Sequence, residues 1–324
     1  MIDVHRLRVL RAVADHGSFN RAAAALRLTP SAVSQHIAAL ERGLGHPVAE
    51  RSTRGVTLTE AGRLLVETAE TVTAELDRVR ARIDRLAAGR PRLTVATFTS
   101  GGRHLLPGAL SAFVRAHPEV ELTVLEAEPE ASLPMVRAGA ADLALAYHFD
   151  GPLPSGAGLS WLPLLEDPLY AVLPAGHRLA ERETVEPAEL AADRWVLGCL
   201  KTEAFLRRYA DRAGFELRTA ASTTDYFFAQ SLVGAGVGVT LVPHIALAPP
   251  AGSAVVPLTP PRPARHLGVA APLRSPHPYA TALARALRTS VEGEAWRPDP
   301  GRRPGIDRDN ARNGRDHGVS DAFL

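Results

Sequence analysis

A run of short polar side chains between residues 30 and 36 could hydrogen-bond to the edges of DNA base pairs. The residues concerned are Pro30, Ser31, Ser34, Gln35 and His36. Hydroxyl and amide groups pair with the donors and acceptors that bases display in the major groove. Their spacing fits one face of a helix, because Val33, Ile37 and Leu40 recur every three or four residues on the other face. The sequence therefore predicts an amphipathic helix with a base-reading face.

A second helix directly before this one would hold it at the DNA. Ser18 and Thr29 are typical N-cap residues, and Pro30 suits the first turn after Thr29. Gly45 marks the end of the second helix. Two helices joined by a tight turn form a helix-turn-helix, whose second helix enters the major groove. A helical hairpin in an ordinary bundle would show the same periodicity, so these residues alone leave that alternative open.

Further elements are predicted on both sides of the helix pair. Residues 3–15 form a first helix with its apolar positions on one side. After the pair, Val48 and Val56–Leu58 could flank a hairpin loop that carries Arg51 and Arg54. Arginines on such a wing can reach backbone phosphates or the adjacent minor groove. The alternative is that they lie in solvent without contacting DNA.

The distribution of charge favours a polyanionic partner for the N-terminal part of the chain. The whole chain has a net charge of +2. Residues 1–58 contain eight arginines and four acidic residues, a net charge of +4, whereas residues 91–292 contain 17 basic and 19 acidic residues. A basic excess on the candidate DNA-binding region is the electrostatic footprint of a nucleic-acid contact.

A long helix is predicted from Thr59, a typical N-cap, to Ala88, with Glu60 in its first turn. Its apolar positions recur every three or four residues, which is typical of a coiled-coil seam. They are Ala61, Leu65, Ala69, Val72, Leu76, Val79, Ile83 and Leu86. We expect this helix to pair with its copy in a second chain, because DNA half-sites are usually read by symmetric dimers.

From residue 91 the pattern changes to strands alternating with helices, which favours an α/β fold with a mostly parallel sheet. The predicted strands are 93–98, 120–126, 142–147, 169–173, 195–198, 216–222, 237–242 and 267–271, and the predicted helices are 105–117, 132–138, 203–213, 225–234 and 278–290. We assign lobe one to about residues 91–162 and 267–292, and lobe two to about 163–266. Residues 293–324, rich in Arg, Asp, Gly and Pro, predict a disordered tail.

A small-molecule site is predicted where the first strand of lobe one ends. Thr99, Ser100 and Gly101 follow that strand, and ligands of open α/β sheets bind beyond the carboxyl ends of the strands. Main-chain amides and hydroxyls there suit a carboxylate or another small anion, although an ordinary polar turn would have the same composition. The other wall candidates are Phe98, Tyr147, His148, Lys201, Thr202, Thr223 and Thr224.

Other classes of function have little support. Cys199 is the only cysteine, so no internal disulfide can form, and its apolar surroundings are typical of a buried thiol in a reducing cytoplasm. The N-terminus has no export segment, and glycines and prolines break the uncharged stretch 226–261, so we expect no membrane span. The histidines lack metal-ligand spacing, and no catalytic motif is present. We therefore expect neither an enzyme nor a metal or cofactor.

Five segments together resemble the LysR-type transcriptional regulators. They are GSFNRAAAAL at 17–26, TPSAVSQHIAALE at 29–41, LTEAG at 58–62, AVLPAGHRL at 171–179 and GVGVTLVP at 236–243. The resemblance covers residues 2 to about 290. It implies a winged helix-turn-helix head at 1–58, a dimerising linker helix at 59–90 and a two-lobed, periplasmic-binding-protein-like effector domain at 91–292.

The resemblance also implies a mechanism. A dimer or tetramer would bind double-stranded promoter DNA, and a small-molecule co-inducer held between the lobes would alter that binding. Position by position, the resemblance assigns base contacts to Pro30, Ser31, Ser34 and Gln35, with Arg54 as the wing contact and Arg51 near the backbone; His36 is a further candidate.

The chain departs from the family at Val48 and Ala49, where a large apolar pair is usual. This departure predicts a weaker anchor for the wing. Two other functions remain as alternatives: a cytoplasmic small-molecule-binding protein with no role in gene regulation, and an enzyme that uses the cleft.

Overall fold

The structure is a computed structural model. It describes residues 2–52, 55–86, 89–149, 158–260, 262–274 and 276–292. The predicted tail at 293–324 lies outside these residues. The chain forms two compact units, the first of Met1–Glu166 with His266–Glu294 and the second containing Asp167–Arg265. Within the described ranges, no helix has the length and apolar character needed to cross a membrane.

The N-terminal part of the first unit contains three helices and a hairpin. They are α1 (Val4–His16), α2 (Phe19–Leu26), α3 (Pro30–Leu44), β1 (Ala49–Ser52) and β2 (Gly55–Leu58). Two helix starts are capped, since an Asp3 carboxylate oxygen accepts from the His5 N–H at 2.8 Å and Thr29 Oγ1 accepts from the Ala32 N–H at 3.2 Å. α3 ends at Gly45, whose φ of 75° suits glycine. The predicted winged helix-turn-helix is thereby confirmed.

One apolar core joins these elements, and we call the whole of residues 2–58 the head. Its buried members are Val9, Leu10, Val13, Ala22, Ala23, Val33, Ile37, Leu40 and Val48. The alanines of α2 have short side chains, so α2 approaches its neighbours closely. The core draws on α1, α2, α3 and the residue before β1, and it therefore fixes α3 relative to the hairpin.

The long helix α4 (Glu60–Leu86) follows the head directly, and its 27 residues span about 40 Å. Thr59 fixes its start, because Thr59 Oγ1 accepts from the Gly62 N–H at 3.1 Å and donates to the Pro47 carbonyl at 2.8 Å. A Cβ at Gly62 would lie 2.0 Å from the carbonyl oxygen of Val48. Only glycine allows this close approach between α4 and the wing of the same chain.

The rest of the first unit is an α/β structure. Its elements are β3 (Arg92–Thr97), α5 (Thr99–His104), α6 (Leu106–Ala116), β4 (Glu121–Glu126), α7 (Pro129–Ala138), β5 (Leu143–His148), β11 (Ala264–Pro272) and α10 (Pro278–Glu292). The strand order is β11-β5-β3-β4. β3 is parallel to both β4 and β5, whereas β11 is antiparallel to β5. Since the chain runs from β3 to β4 on one side and then to β5 on the other, β3 is the topological switch point.

The second unit has a different sheet arrangement. Its elements are β6 (Leu159–Pro174), which enters from the first unit, β7 (Arg194–Leu197), α8 (Leu200–Ala213), β8 (Arg218–Ser222), α9 (Tyr226–Gly234), β9 (Thr240–Pro243) and β10 (Ser253–Pro257). β6 pairs antiparallel with β10 and β9, and β7 pairs parallel with β8. The predicted parallel arrangement is therefore wrong for most of this unit.

Two stretches differ from the predicted elements for identifiable reasons. Residues 99–102, which fall outside the predicted helices and strands, begin the helix α5. Gly101 is needed there for packing, because a Cβ would approach the Phe98 ring to 2.7 Å. β6 begins at Leu159 instead of Leu169. Prolines at 163 and 168 lack the N–H that a strand interior normally supplies, so the strand pattern was predicted to begin only after Pro168.

Candidate DNA interface and effector site

The predicted base-reading residues lie on the side of α3 that faces away from the core. Val33, Ile37 and Leu40 are buried. The predicted contact residues Pro30, Ser31 and Gln35 are exposed, and Ser34 and His36 are half-buried. A hydrogen bond of 3.0 Å joins the hydroxyls of Ser31 and Thr29 at the start of the helix. Helical spacing thus places Ser31, Ser34 and Gln35 on one face of α3, with Pro30 and His36 on its two flanks.

His36 has a partner that the sequence did not reveal. Its ring contacts the ring of His5 edge to face, with 4.7 Å between the centroids. His5 lies in the first turn of α1 and is exposed. The contact extends the polar surface of α3 onto the start of α1. No periodic signal connects these two helices, so only the folded head shows the pair.

The wing is anchored at three points. The Val48 N–H donates to Glu41 Oε1 at 2.9 Å, the Thr59 N–H donates to the Val48 carbonyl at 3.2 Å, and the Val56 N–H donates to the Gly17 carbonyl at 3.1 Å. Val48 is also fully buried. These contacts supply an anchor that the small residues at 48 and 49 did not suggest.

The two predicted wing arginines are Arg51 and Arg54. Arg51 lies in β1, where its backbone pairs with Val56. Its side chain lies outside the described part of the structure. Arg54 lies outside the described residues altogether. The roles of both arginines therefore stay predictions.

The apolar seam of α4 has two differently packed halves. Ala69 is buried, and Leu65 packs against the head core. Further along, Leu76, Val79 and Ile83 are 54%, 44% and 60% exposed. We expected one continuous seam for a partner chain, but the amino half is covered by the head of the same chain. The apolar face from Leu76 onward is available to a second copy.

The predicted effector residues of the first unit meet at the carboxyl ends of β3, β4 and β5. The rings of Phe98 and Tyr147 are buried and pack in a T shape, with 4.8 Å between their centroids. The Thr99 hydroxyl donates to Glu126 Oε1 at 2.8 Å. The Tyr147 hydroxyl donates to Glu128 Oε2 at 2.9 Å. Neither glutamate was predicted as a site residue, although Glu126 ends the second predicted strand and Glu128 follows it.

Other predicted residues of this unit are placed less favourably for a ligand. Ser100 is 3% exposed, and Gly101 packs beneath Phe98. His148 follows Tyr147 in β5 and so projects to the opposite face of the sheet. There its ring lies 5.7 Å from that of Trp161. The structure therefore groups Phe98, Thr99 and Tyr147, with His148 on the other side.

The candidates in the second unit occupy two helix starts. Thr223 Oγ1 accepts from the Asp225 N–H at 2.8 Å in the turn before α9, so this hydroxyl has a structural role. Lys201 and Thr202 lie in the first turn of α8. Their side chains lie outside the described part of the chain, and their proposed ligand contacts stay predictions.

The second unit also contains a buried ion pair that the sequence did not indicate. An Arg265 amino group lies 2.6 Å from Asp167 Oδ2, and the side chains are 1% and 0% exposed. The other carboxylate oxygen of Asp167 accepts from the Ile245 N–H at 3.1 Å. Burial lowers the pKa of the neighbouring His244, and Asp167 opposes that shift. Removing one partner would leave a buried charge, so we assign this pair a structural role.

The cysteine and the possible metal ligands also bear on function. Cys199 is 6% exposed and packs among Val172, Tyr226 and Ala229. Its position is that of a packing residue. Across the described ranges, no cluster of three or more histidine, cysteine, aspartate or glutamate side chains could hold a metal ion.

Similar proteins of known class match along most of the chain. The probable hydrogen peroxide-inducible genes activator of Mycobacterium avium is 34% identical over 279 residues, which cover 81% of this chain and 86% of that protein. The DNA-binding transcriptional dual regulator OxyR of Escherichia coli K12 is 28% identical over 308 residues, which cover 90% of this chain and 97% of that protein.

Solved structures share the fold. Full-length BenM has a TM-score of 0.55 at 22% identity, covering 89% of this chain and 96% of BenM. A C206 mutant of OxyR from Corynebacterium glutamicum has a TM-score of 0.52 at 25% identity, covering 89% of this chain and 92% of that chain.

Two family models account for the head and for the remainder of the chain. The model for bacterial regulatory helix-turn-helix proteins of the lysR family matches residues 4–63. The model for the LysR substrate binding domain matches residues 87–292. The chain therefore belongs to the LysR family of DNA-binding transcriptional regulators, with an effector-binding domain that follows its N-terminal head in the sequence.

Proposed function

We propose that this protein is a cytoplasmic, homodimeric regulator that reads promoter DNA with α3 and its wing, and whose binding is adjusted by a small molecule. The observation that carries the proposal is the polar face of α3, exposed opposite a buried stripe and held beside an anchored wing. The proposed base-reading residues are Pro30, Ser31, Ser34, Gln35 and His36. Arg51 and Arg54 would contact the DNA backbone or the minor groove.

The carboxyl half of α4 supports dimer formation. Leu76, Val79 and Ile83 form an exposed apolar stripe at coiled-coil spacing. A second copy of the same helix would cover this stripe. Dimerisation would place two heads on one duplex, so that each α3 reads one half-site.

The predicted effector residues meet at the carboxyl ends of β3, β4 and β5, which we call the effector edge. α7 offers a physical route from this edge to the head. The helix begins at Pro129, directly after Glu128. Pro134 and Arg137 of α7 line a cavity of about 300 Å³ together with Ala74 of α4 and Arg11 of α1. A ligand that displaces Glu128 would thus bear on a helix that packs against α4 and lines a cavity together with α1. This route is the proposed coupling between ligand and DNA.

A thiol-based response is the second candidate, because the names of several relatives refer to hydrogen peroxide. In this chain the only cysteine is Cys199, which is buried in an apolar cluster. Reactive thiols need exposure and a positively charged environment. We therefore propose a non-covalent effector. A promoter-binding change on peroxide treatment that disappears in Cys199→Ser would contradict this choice.

A gel-shift titration tests the proposed function. The full chain is mixed with the intergenic DNA beside its own gene and with a scrambled fragment of equal length, at rising salt concentrations. We expect specific retention of the intergenic fragment, with an affinity that falls steeply as salt rises. Equal binding to both fragments at every salt concentration would contradict the proposal.

A further inference from the structure

A cavity of about 300 Å³ lies among α1, α4 and α7. α1 belongs to the head, α4 is the long helix that follows the head, and α7 belongs to the α/β part of the first unit. The effector edge adjoins the start of α7 at Pro129, whereas Pro134, Arg137 and Ala138, in the second half of that helix, line the cavity. The cavity is therefore a different place from the predicted effector site.

Short side chains leave this space between α4 and α7. Ala74 of α4 and Ala138 of α7 both line the cavity, and an alanine side chain ends at its Cβ atom. The two helices therefore pack against each other without filling the volume between their longer side chains. α7 ends directly after Ala138, because Gly139 adopts a φ of 74°. The volume that remains is at the lower end of the range found for small-molecule sites.

One wall of the cavity is acidic. Glu70, Thr73, Ala74 and Asp77 of α4 line this wall, and their spacing of three, one and three residues places them on one face of the helix. The apolar stripe proposed to pair with a second copy begins at Leu76 and follows another face. Pairing along that stripe therefore does not by itself cover the acidic wall. Glu70 and Asp77 are exposed, so a ligand can reach both carboxylates.

The other two walls are basic, because Arg11 of α1 and Arg137 of α7 line them. The contact between Arg11 and Asp15 is 3.7 Å long and lies on the surface, where such pairs contribute little. The Arg137 Nε–H is buried and has no hydrogen-bond partner in the described part of the chain. A buried donor without an acceptor is costly. Arg137 would therefore be stabilised by an anionic group that its guanidinium can reach.

The opposite charges around the cavity do not pair directly. Within the described ranges, the side chains of Glu70, Asp77 and Arg137 form neither an ion pair nor a hydrogen bond with one another. The cavity instead separates two carboxylates from two guanidinium groups. A ligand with a single charge would satisfy one kind of wall and leave the other without a partner. A ligand with both an anionic and a cationic group would form charge-assisted hydrogen bonds with both.

We propose that this cavity binds a small zwitterion, whose carboxylate pairs with Arg11 and Arg137 and whose ammonium group pairs with Glu70 and Asp77. The site is separate from the effector edge, and the inference goes beyond the proposed function. The walls come from the head, from α4 and from the α/β part of the first unit. A bound zwitterion would therefore stabilise the packing of these three parts against one another.

Calorimetric titration of the full chain tests the inference. The probes are β-alanine, 4-aminobutyrate and 6-aminohexanoate, which carry the same two charges at increasing separation, together with butyrate and butylammonium, which carry one charge each. We expect at least one zwitterion to bind about tenfold or more tightly than either singly charged probe, because only a zwitterion pairs with both kinds of wall. The same zwitterion should raise the melting temperature of the chain.

Two variants locate the binding site by charge. Arg137→Gln should weaken zwitterion binding by about tenfold and leave the affinity for butylammonium unchanged, because it removes an anion partner only. Asp77→Asn should weaken zwitterion binding by a similar factor and leave the affinity for butyrate unchanged. Since Asp77 is exposed, Asp77→Asn should fold normally even if Arg137→Gln does not, and thermal unfolding of each variant checks this.

Glu67→Gln and Arg115→Gln are the matched controls. Both residues are exposed, neither lines the cavity, and each variant removes the same charge as one of the test variants. Zwitterion affinity should be unchanged in both. Absence of zwitterion binding, equal binding of the singly charged probes, or zwitterion binding that Asp77→Asn does not weaken would overturn the inference.

Discussion

The head and the effector edge, at the carboxyl ends of β3, β4 and β5, present their polar side chains in opposite ways. On α3, Ser31 and Gln35 stand on an exposed face whose reverse side is buried. At the carboxyl edge, Thr99 and Tyr147 each donate to a glutamate from another strand. The periodicity of one helix thus produces an exposed polar face, whereas the pairing of three strands produces an edge whose hydroxyls are already bonded to carboxylates. A DNA interface is consequently easier to infer from sequence than a small-molecule site.

We expect the largest effect on DNA binding from changes in α4. DNA binding by the head depends on a second copy of the chain, whereas the effector edge is formed within one chain. Leu76→Glu combined with Ile83→Glu would place charges on the exposed apolar stripe. We expect monomers by analytical ultracentrifugation, and a loss of DNA affinity of about a hundredfold or more since two linked heads bind far better than one. Thr71→Glu, exposed elsewhere on α4, is the control, and a dimeric double variant would contradict the assignment.

The next effect concerns the base-reading face itself. Gln35→Ala should cost about 1–3 kcal/mol at one base position and relax the preference there, because a bidentate base contact is lost. Arg54→Ala should instead weaken binding to all sequences evenly and reduce the salt dependence. Binding to a library of single-base variants distinguishes the two. An equal loss on every sequence for both variants would show that α3 does not read bases through Gln35.

A smaller effect, on the free energy of unfolding, should appear at the effector edge. Tyr147→Phe keeps the ring contacts and removes the hydroxyl that donates to Glu128. We expect the free energy of unfolding to fall by about 1 kcal/mol, the usual contribution of one hydrogen bond, with promoter affinity unchanged. Chemical denaturation and gel shifts measure the two quantities. If Tyr147→Phe abolished DNA binding with stability intact, the Tyr147 hydroxyl would be needed for DNA binding itself and not only at the ends of these strands.

The smallest effect is expected from the cap of α1. Hydrogen bonds from the main-chain N–H of Arg6, and then of His5, lower the pKa of Asp3 below its ordinary value of 3.8. A lowered pKa means that Asp3 stabilises the fold above 3.8 and that this contribution is lost as the pH falls through the folded-state value. Asp3→Asn should therefore flatten the acid limb of a melting-temperature profile slightly. Glu50→Gln, an exposed control, should follow the native profile.

The sequence predicted most of the head, because caps and apolar spacing are local. Thr29, Pro30 and Gly45 mark α3 within one stretch of chain, and the structure agrees. It predicted the effector edge less well, because Glu126 and Thr99 meet only when β3 and β4 pair. The ring contact between His5 and His36 likewise depends on packing between two helices. The antiparallel partners of β6 could not be inferred, since nothing in that strand specifies the direction of its neighbours.

Genome-wide footprinting of the bound sites tests the central claim most directly. If a dimer reads DNA through two copies of α3, the protected sequences should share two related half-sites, with centres about 10 base pairs or a multiple of that distance apart. The Gln35→Ala variant should lose preference at one equivalent position in each half-site. Protected regions without a common motif, or with a single unpaired half-site, would contradict the account.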